Sequence, residues 1–150
     1  MNKQIEEQLL KEGYYVSTTV GRSMRPMLRN RRDRVVLRAV SREERLARMD
    51  LPLYRYPDGR YVLHRIIGTE GDVYLIRGDN TYAVERIPHE WILGVVTEFY
   101  RGERHWSVES RRYRRYARFW NAIYPLRAFL HRVRGFLGRI FRKVFPKKGK

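Results

Sequence analysis

Apolar and polar residues alternate in short runs over the first hundred positions, then fall into a three- and four-residue rhythm near the C-terminus. Strands are therefore predicted first and helices last. Residues 3–12 (KQIEEQLLKE) suit a short helix, with Asn2 as its N-cap and Gly13 as its stop. YYVSTTV (14–20) is rich in β-branched and aromatic residues and predicts a strand reaching Gly21. The charged, proline-interrupted stretch 22–34 predicts mostly loop, and a second strand begins with Val35–Leu37. Residues 40–50 are polar, with at most one helical turn.

From residue 53 the pattern is β throughout. Leu53–Tyr56 and Tyr61–Ile67 flank Pro57-Asp58-Gly59-Arg60, whose residue types suit a hairpin turn. Val73–Arg77 follows the turn Gly68–Gly71, and Ile92–Tyr100 and His105–Val108 flank a third turn at 101–104. Short strands separated by turns predict a mainly β chain, folded as an antiparallel sheet or a partly open barrel over residues 1–109. Residues 111–124 predict a helix that Pro125 breaks. Beyond it an apolar face (Leu126, Phe129, Leu130, Val133, Phe136, Leu137, Ile140, Phe141, Val144) opposes Arg127, Arg132, Arg134, Arg139 and Arg142. Residues 110–150 thus form a basic amphipathic helical tail, fraying at PKKGK.

Composition changes this picture in two ways. The chain has 150 residues and no cysteine, which excludes disulfides, thiolate metal sites and a cysteine nucleophile. The net charge of +17 is uneven: all 16 acidic residues lie at or before Glu109, with 19 basic ones, and the other 14 basic residues follow. Such a tail points to a polyanion. No apolar run reaches the roughly 18 residues of a spanning helix, and the polar N-terminus reads as neither signal nor transit peptide. The expected location is cytoplasmic, peripheral to the inner face of the membrane. His89, His105 and His131 lack metal-ligand spacing and no phosphate-binding glycine loop is present, so neither metal nor cofactor is expected.

Three separated segments carry candidate chemistry: Gly21-Arg22-Ser23-Met24-Arg25-Pro26, Leu63-His64-Arg65-Ile66, and Gly78-Asp79-Asn80. Singly, each has an ordinary reading: a solvated turn serine, a hydrogen-bonded core histidine, a common turn. Together they supply a hydroxyl, an imidazole to take its proton and a carboxylate to orient that imidazole. The glycine before Ser23 permits a sharp turn that turns the serine amide toward a developing oxyanion.

Gly-Arg-Ser-Met-Arg-Pro resembles the G-x-S-M-x-P box of signal-peptidase and LexA-type serine peptidases. Most bacterial members place a lysine base in a short strand about forty residues on. Here that segment offers His64, as in signal peptidases of archaeal and endoplasmic-reticulum type, which likewise continue to Gly-Asp-Asn. The resemblance covers residues 13–100. It implies a compact LexA-like β domain and a serine peptidase with Ser23 as nucleophile, His64 as general base and Asp79 orienting it. Gly21, Met24, Pro26 and Asn80 are the implied supporting residues. Asp50 and the strand LPLYRY resemble the Gly-Asp-aliphatic strand before the base. The chain departs from the family in lacking an N-terminal anchor, a DNA-binding domain and an internal cleavage site. Gly21 also stands where many members carry a small or hydroxylated oxyanion helper.

The tail has three readings. An anionic membrane surface would take Phe119, Trp120, Phe129, Phe136 and Phe141 with Arg127, Arg134 and Arg139 around them. Nucleic acid would use Tyr113, Tyr116 and Trp120 for stacking, but a continuous apolar stripe serves no purpose in a phosphate-tracking arm. The third is packing on the β domain or on another copy. The expected partners are a peptide or protein substrate and an anionic membrane, with nucleic acid as the lesser candidate. The alternative to a peptidase is a catalytically silent membrane-bound or nucleic-acid-binding module on the same fold.

Overall fold

The computed structural model describes residues 3–144, with side chains over residues 4–139. The expected Asn2 cap, the Phe141 side chain and the PKKGK end lie outside these described residues.

The chain is mainly β and antiparallel. Helix α1 (Lys3–Glu12) ends at Gly13, whose φ of +76° and N–H bond to the Leu9 carbonyl (3.0 Å) make a left-handed stop. Strand β1 (Tyr14–Thr18) pairs with β2 (Asp33–Ala39), and β2 with the long β8 (Ile92–Arg101). On its other side β8 pairs with β3 (Pro52–Arg55), which pairs with β4 (Tyr61–Leu63), and β9 (Arg104–Ser107) folds back on β8. A second sheet holds β5 (Arg65–Glu70), β6 (Val73–Arg77) and β7 (Glu85–Pro88). One core gathers Leu9, Met24, Leu28, Val35, Leu37 and Phe99. The other gathers Tyr54, Ile66, Tyr74, Ile76 and Ile87 between the sheets.

Several expected boundaries move for physical reasons. The single strand expected over 61–67 is interrupted at His64: β4 belongs to one sheet and β5 to the other, so the histidine sits where the chain changes sheets. The segment 40–50 forms no helix. Strand β7 has weak intrinsic strand propensity and exists because β6 offers it a paired edge, ending at Pro88. The break expected at Pro125 falls earlier. Helix α2 (Arg111–Ala122) stops, Ile123 leaves helical geometry, and α3 (Tyr124–Val144) restarts with Pro125 in its first turn, where a missing N–H costs nothing.

The division expected at 109/110 falls between β9 and α2, but α2 is no detached arm. Ser110 caps it, its side chain accepting the Tyr113 N–H, and Tyr113 and Ala117 are buried in the first core.

Candidate active site

The Ser23 loop runs from β1 to β2 and is tied at its base. Asp33, fully buried, accepts the Arg29 amide (2.7 Å) and the Arg29 guanidinium (2.8 and 3.0 Å). Burial alone would raise the Asp33 carboxyl, but these Arg29 bonds outweigh it and hold it below the usual range. Thr19 closes the neck through its hydroxyl to the Arg29 or Asp33 carbonyl, each at 3.0 Å. Gly21, at φ +101°, donates its amide to Asn30 Oδ1 (2.8 Å). Met24 is buried and packs in the core, which anchors Ser23 from behind, while Pro26 is exposed. Among the described residues neither the Ser23 amide nor its Oγ is engaged in a hydrogen bond. Arg22, Arg25, Arg31, Arg32 and Arg34 are exposed; Arg29 is committed to Asp33.

His64 is buried at the junction of β4 and β5. Its Nδ1 lies 2.8 Å from Glu85 Oε1, the first residue of β7. Glu85 Oε2 accepts two further hydroxyls, from Tyr54 (2.6 Å) and Tyr56 (2.5 Å). The Tyr54 hydroxyl also stands 3.3 Å from Nδ1, but its single proton goes to Glu85. Nδ1 therefore carries the imidazole proton and donates to Glu85, which leaves Nε2 as the basic atom. Burial lowers the His64 pKa below its ordinary 6.5, opposed by the Glu85 charge. Burial would raise Glu85, yet the two tyrosine bonds and the histidine keep it low and ionised. Burial, with the same carboxylate, pushes the Tyr56 hydroxyl up to about 12, so it stays a donor.

The carboxylate at the histidine is thus Glu85, and the expectation that Asp79 orients His64 is corrected. Asp79 is turned to the next residue, Arg65, in a two-pronged pair with Nε and a terminal nitrogen, both at 2.8 Å. Both partners are buried. Successive side chains at a strand junction point to opposite sides, so His64 and Arg65 each find a separate acid. Burial disfavours the Arg65 charge, but Asp79 and Tyr113 outweigh it and raise its pKa. Tyr113 accepts a third Arg65 bond (2.7 Å).

The rest of Gly-Asp-Asn packs against the Ser23 segment. Gly78 has no room for a side chain: a Cβ there would stand 2.8 Å from the Ser23 carbonyl oxygen and 3.0 Å from His64 Nε2. The Ser23 backbone and the basic edge of the ring therefore flank one small space. Asn80 donates its amide to the Ser23 carbonyl (2.6 Å) and its side chain to the Arg22 carbonyl (3.3 Å). Asp50 is spent locally, accepting the Ala47 amide (2.8 Å).

Ser23 and His64 both line a cleft of about 360 Å³. Its walls include β1 on one side and β4 on the other, the two end strands of the larger sheet, over a floor of Leu28, Val35, Leu37 and Leu53.

The tail residues divide. Trp120 donates its indole N–H to the Asp79 carbonyl (2.8 Å), and Arg127 donates to the same oxygen (2.6 Å) while lying over the Trp120 ring. These two are turned into the protein, a correction to their expected place on a membrane. Phe119, Phe129 and Phe136 are 61%, 62% and 55% exposed, and Arg134 and Arg139 are exposed as well. Among the described residues no helix is long and apolar enough to cross a membrane, and no three His, Asp or Glu are grouped to hold a metal ion. His89 bonds Tyr74, His105 bonds Glu98, and His131 stacks on Tyr82.

Sequence reasoning missed Glu85. Its signal was the Tyr54-x-Tyr56 alternation, which puts two hydroxyls on one face and calls for a shared acceptor.

No protein-family model matches this chain, and no curated protein matches it significantly.

Proposed function

We propose that this chain is a serine endopeptidase of signal-peptidase-like type, cleaving a peptide or protein near a membrane surface. One observation carries the reading: a buried histidine whose Nδ1 is committed to Glu85 presents Nε2 beside the Ser23 backbone, at a cleft between two strand edges. The reaction uses Ser23 as nucleophile and His64 as general base, with Glu85 as the residue that fixes the tautomer and stabilises the imidazolium. Ser23 Oγ bonds to the scissile carbonyl carbon as its proton passes to Nε2. The C–N bond then breaks as that proton moves to the leaving amine. Water, deprotonated by the same nitrogen, releases the acyl group and restores Ser23. The Ser23 amide is available to the oxyanion. Open strand edges at β1 and β4 suit an extended peptide, whose main chain pairs with an edge while alternate side chains enter the cleft.

The exposed apolar face of α3 beside its arginines supports peripheral binding to an anionic leaflet, on the cytoplasmic side that the sequence suggests. The test is labelling of wild type, Ser23→Ala and His64→Ala by a fluorophosphonate probe. Labelling of the wild type that vanishes in both variants is expected. Equal labelling of all three, or none of the wild type with a probe shown to enter the cleft, leaves the silent module as the better reading.

A further inference from the structure

The two ends of one peptide group, between Asp79 and Asn80, are gripped from opposite sides. Its carbonyl oxygen accepts Trp120 Nε1 from α2 (2.8 Å) and the Arg127 guanidinium from α3 (2.6 Å). Its N–H donates to the Ser23 carbonyl at 2.6 Å. A peptide group is planar, so tilting its carbonyl end swings the N–H by the same angle. Hydrogen bonds at the carbonyl also polarise the group and strengthen the N–H as a donor. The helices therefore hold the nucleophile segment through a single rigid unit. Tyr116 braces the carboxylate of the same residue, its hydroxyl 3.3 Å from Asp79 Oδ2, and its ring stacks with Trp120.

We propose that Trp120 and Arg127 are positioning residues of the site and that an anionic bilayer, by seating α3, activates it. The inference rests on the peptidase reading of Ser23 and His64. The two donors sit on different helices, so both reach one oxygen only when the α2–α3 elbow keeps its angle. The inner side of α3 is docked at its start: Tyr124 donates to the Tyr82 carbonyl (2.9 Å) and His131 stacks on Tyr82. Its outer side presents Leu126, Phe129, Leu130, Phe136 and Leu137 to solvent. An anionic bilayer is the occupant that fits: no acidic residue follows Glu109 to balance the 14 basic ones, and a second copy would bring like charges together. Burying the outer face in lipid holds the helix in place and biases the elbow toward the closed peptide grip.

The experiment uses the full chain with phosphatidylglycerol vesicles and, as control, phosphatidylcholine vesicles. Two quantities are read: exchange of the Asn80 amide hydrogen and the rate of Ser23 labelling by a fluorophosphonate. Trp120→Phe with Arg127→Met should speed Asn80 exchange and slow labelling, each by about tenfold, the worth of one or two hydrogen bonds. The pH midpoint of labelling should stay unchanged, because the His64–Glu85 pair is untouched, and Arg127→Lys should recover part of the rate. Phosphatidylglycerol should slow Asn80 exchange and speed labelling in the wild type. The double variant should still sediment with those vesicles but respond in neither readout. Trp120→Phe alone, which keeps a ring against Tyr116, guards against loss of fold. Unchanged Asn80 exchange in the variants overturns the positioning role, and an unchanged wild type on anionic vesicles overturns activation by the bilayer. Asn80 exchange that responds in a wild type that never labels would sink the peptidase reading and leave the coupling standing.

Discussion

The two flanks of the chain at residues 64 and 65 solve the same problem in different ways. Each neighbour buries a titratable or charged group beside a carboxylate at 2.8 Å. On the Arg65 flank the geometry is saturated: a guanidinium spread over two carboxylate oxygens and a tyrosine, with both charges out of solvent. That arrangement ties the carboxylate to a guanidinium that has no basic atom to offer a reactant, and it serves as a strut. On the His64 flank only one ring nitrogen is used. Glu85 is held by two tyrosines, Nδ1 is spent on Glu85, and Nε2 is left facing the Ser23 segment. A buried pair with one basic atom unspent has the form of a site; a buried pair with none has the form of a scaffold.

Substitution of the two acids sharpens the contrast. Glu85→Gln removes the acceptor that sets the tautomer and should cut Ser23 labelling about 10⁴-fold. Its thermal midpoint should move little, since the two tyrosines still find an amide oxygen. Asp79→Asn should do the reverse, costing about 3–5 kcal/mol of stability by leaving Arg65 charged and buried without its counter-charge. Urea unfolding of the two variants beside their labelling rates reads the distinction. A large stability loss in Glu85→Gln with an unaltered rate would break it. Gly78→Ala stands between the flanks. Its methyl group would push the Ser23 backbone from His64 Nε2, and a displacement on the order of 1 Å should cost about 10²-fold in labelling.

The smallest effect expected is on the pH profile. Because burial lowers the His64 pKa, the neutral base persists in acid and the acid limb of the rate should lie below 6.5. Glu85 opposes that shift, so Glu85→Gln should move the limb further into acid, and Asp79→Asn should move it less, since its charge acts on His64 more weakly. The same depression makes protonation costlier in the folded chain. The histidine's contribution to stability is complete above the unfolded value near 6.5 and erodes as pH falls below it. A limb above 6.5 would mean that the charge of Glu85, not burial, governs the ring.

Local signals were enough for the turns at Pro57–Arg60 and 101–104, the stop at Gly13 and the amphipathic stripe of α3, because each depends on residues within one or two turns of chain. The three candidate segments were legible for the same reason. The Gly78-Asp79-Asn80 stretch was expected to supply the partner of His64; instead Asp79 pairs with Arg65, and Asn80 bonds the Ser23 and Arg22 carbonyls. Motif order places a loop near a site but does not say to which side each of its side chains turns. The Trp120 and Arg127 donors were likewise on an amphipathic tail whose sequence is consistent with a lipid face or a protein face.

Strand alternation, turn chemistry and charge asymmetry are properties of neighbouring residues, so the β class and the basic tail could be read from the chain alone. Which carboxylate meets the histidine could not. Glu85 reaches His64 because the chain changes sheets at residue 64 and β7 pairs with β6, a contact across 21 residues. The split of the tail, half packed on Asp79 and half exposed, was settled the same way. Burial of Tyr113 and the packing of half-buried Trp120 and Arg127 depend on a surface that exists only once the two sheets have come together.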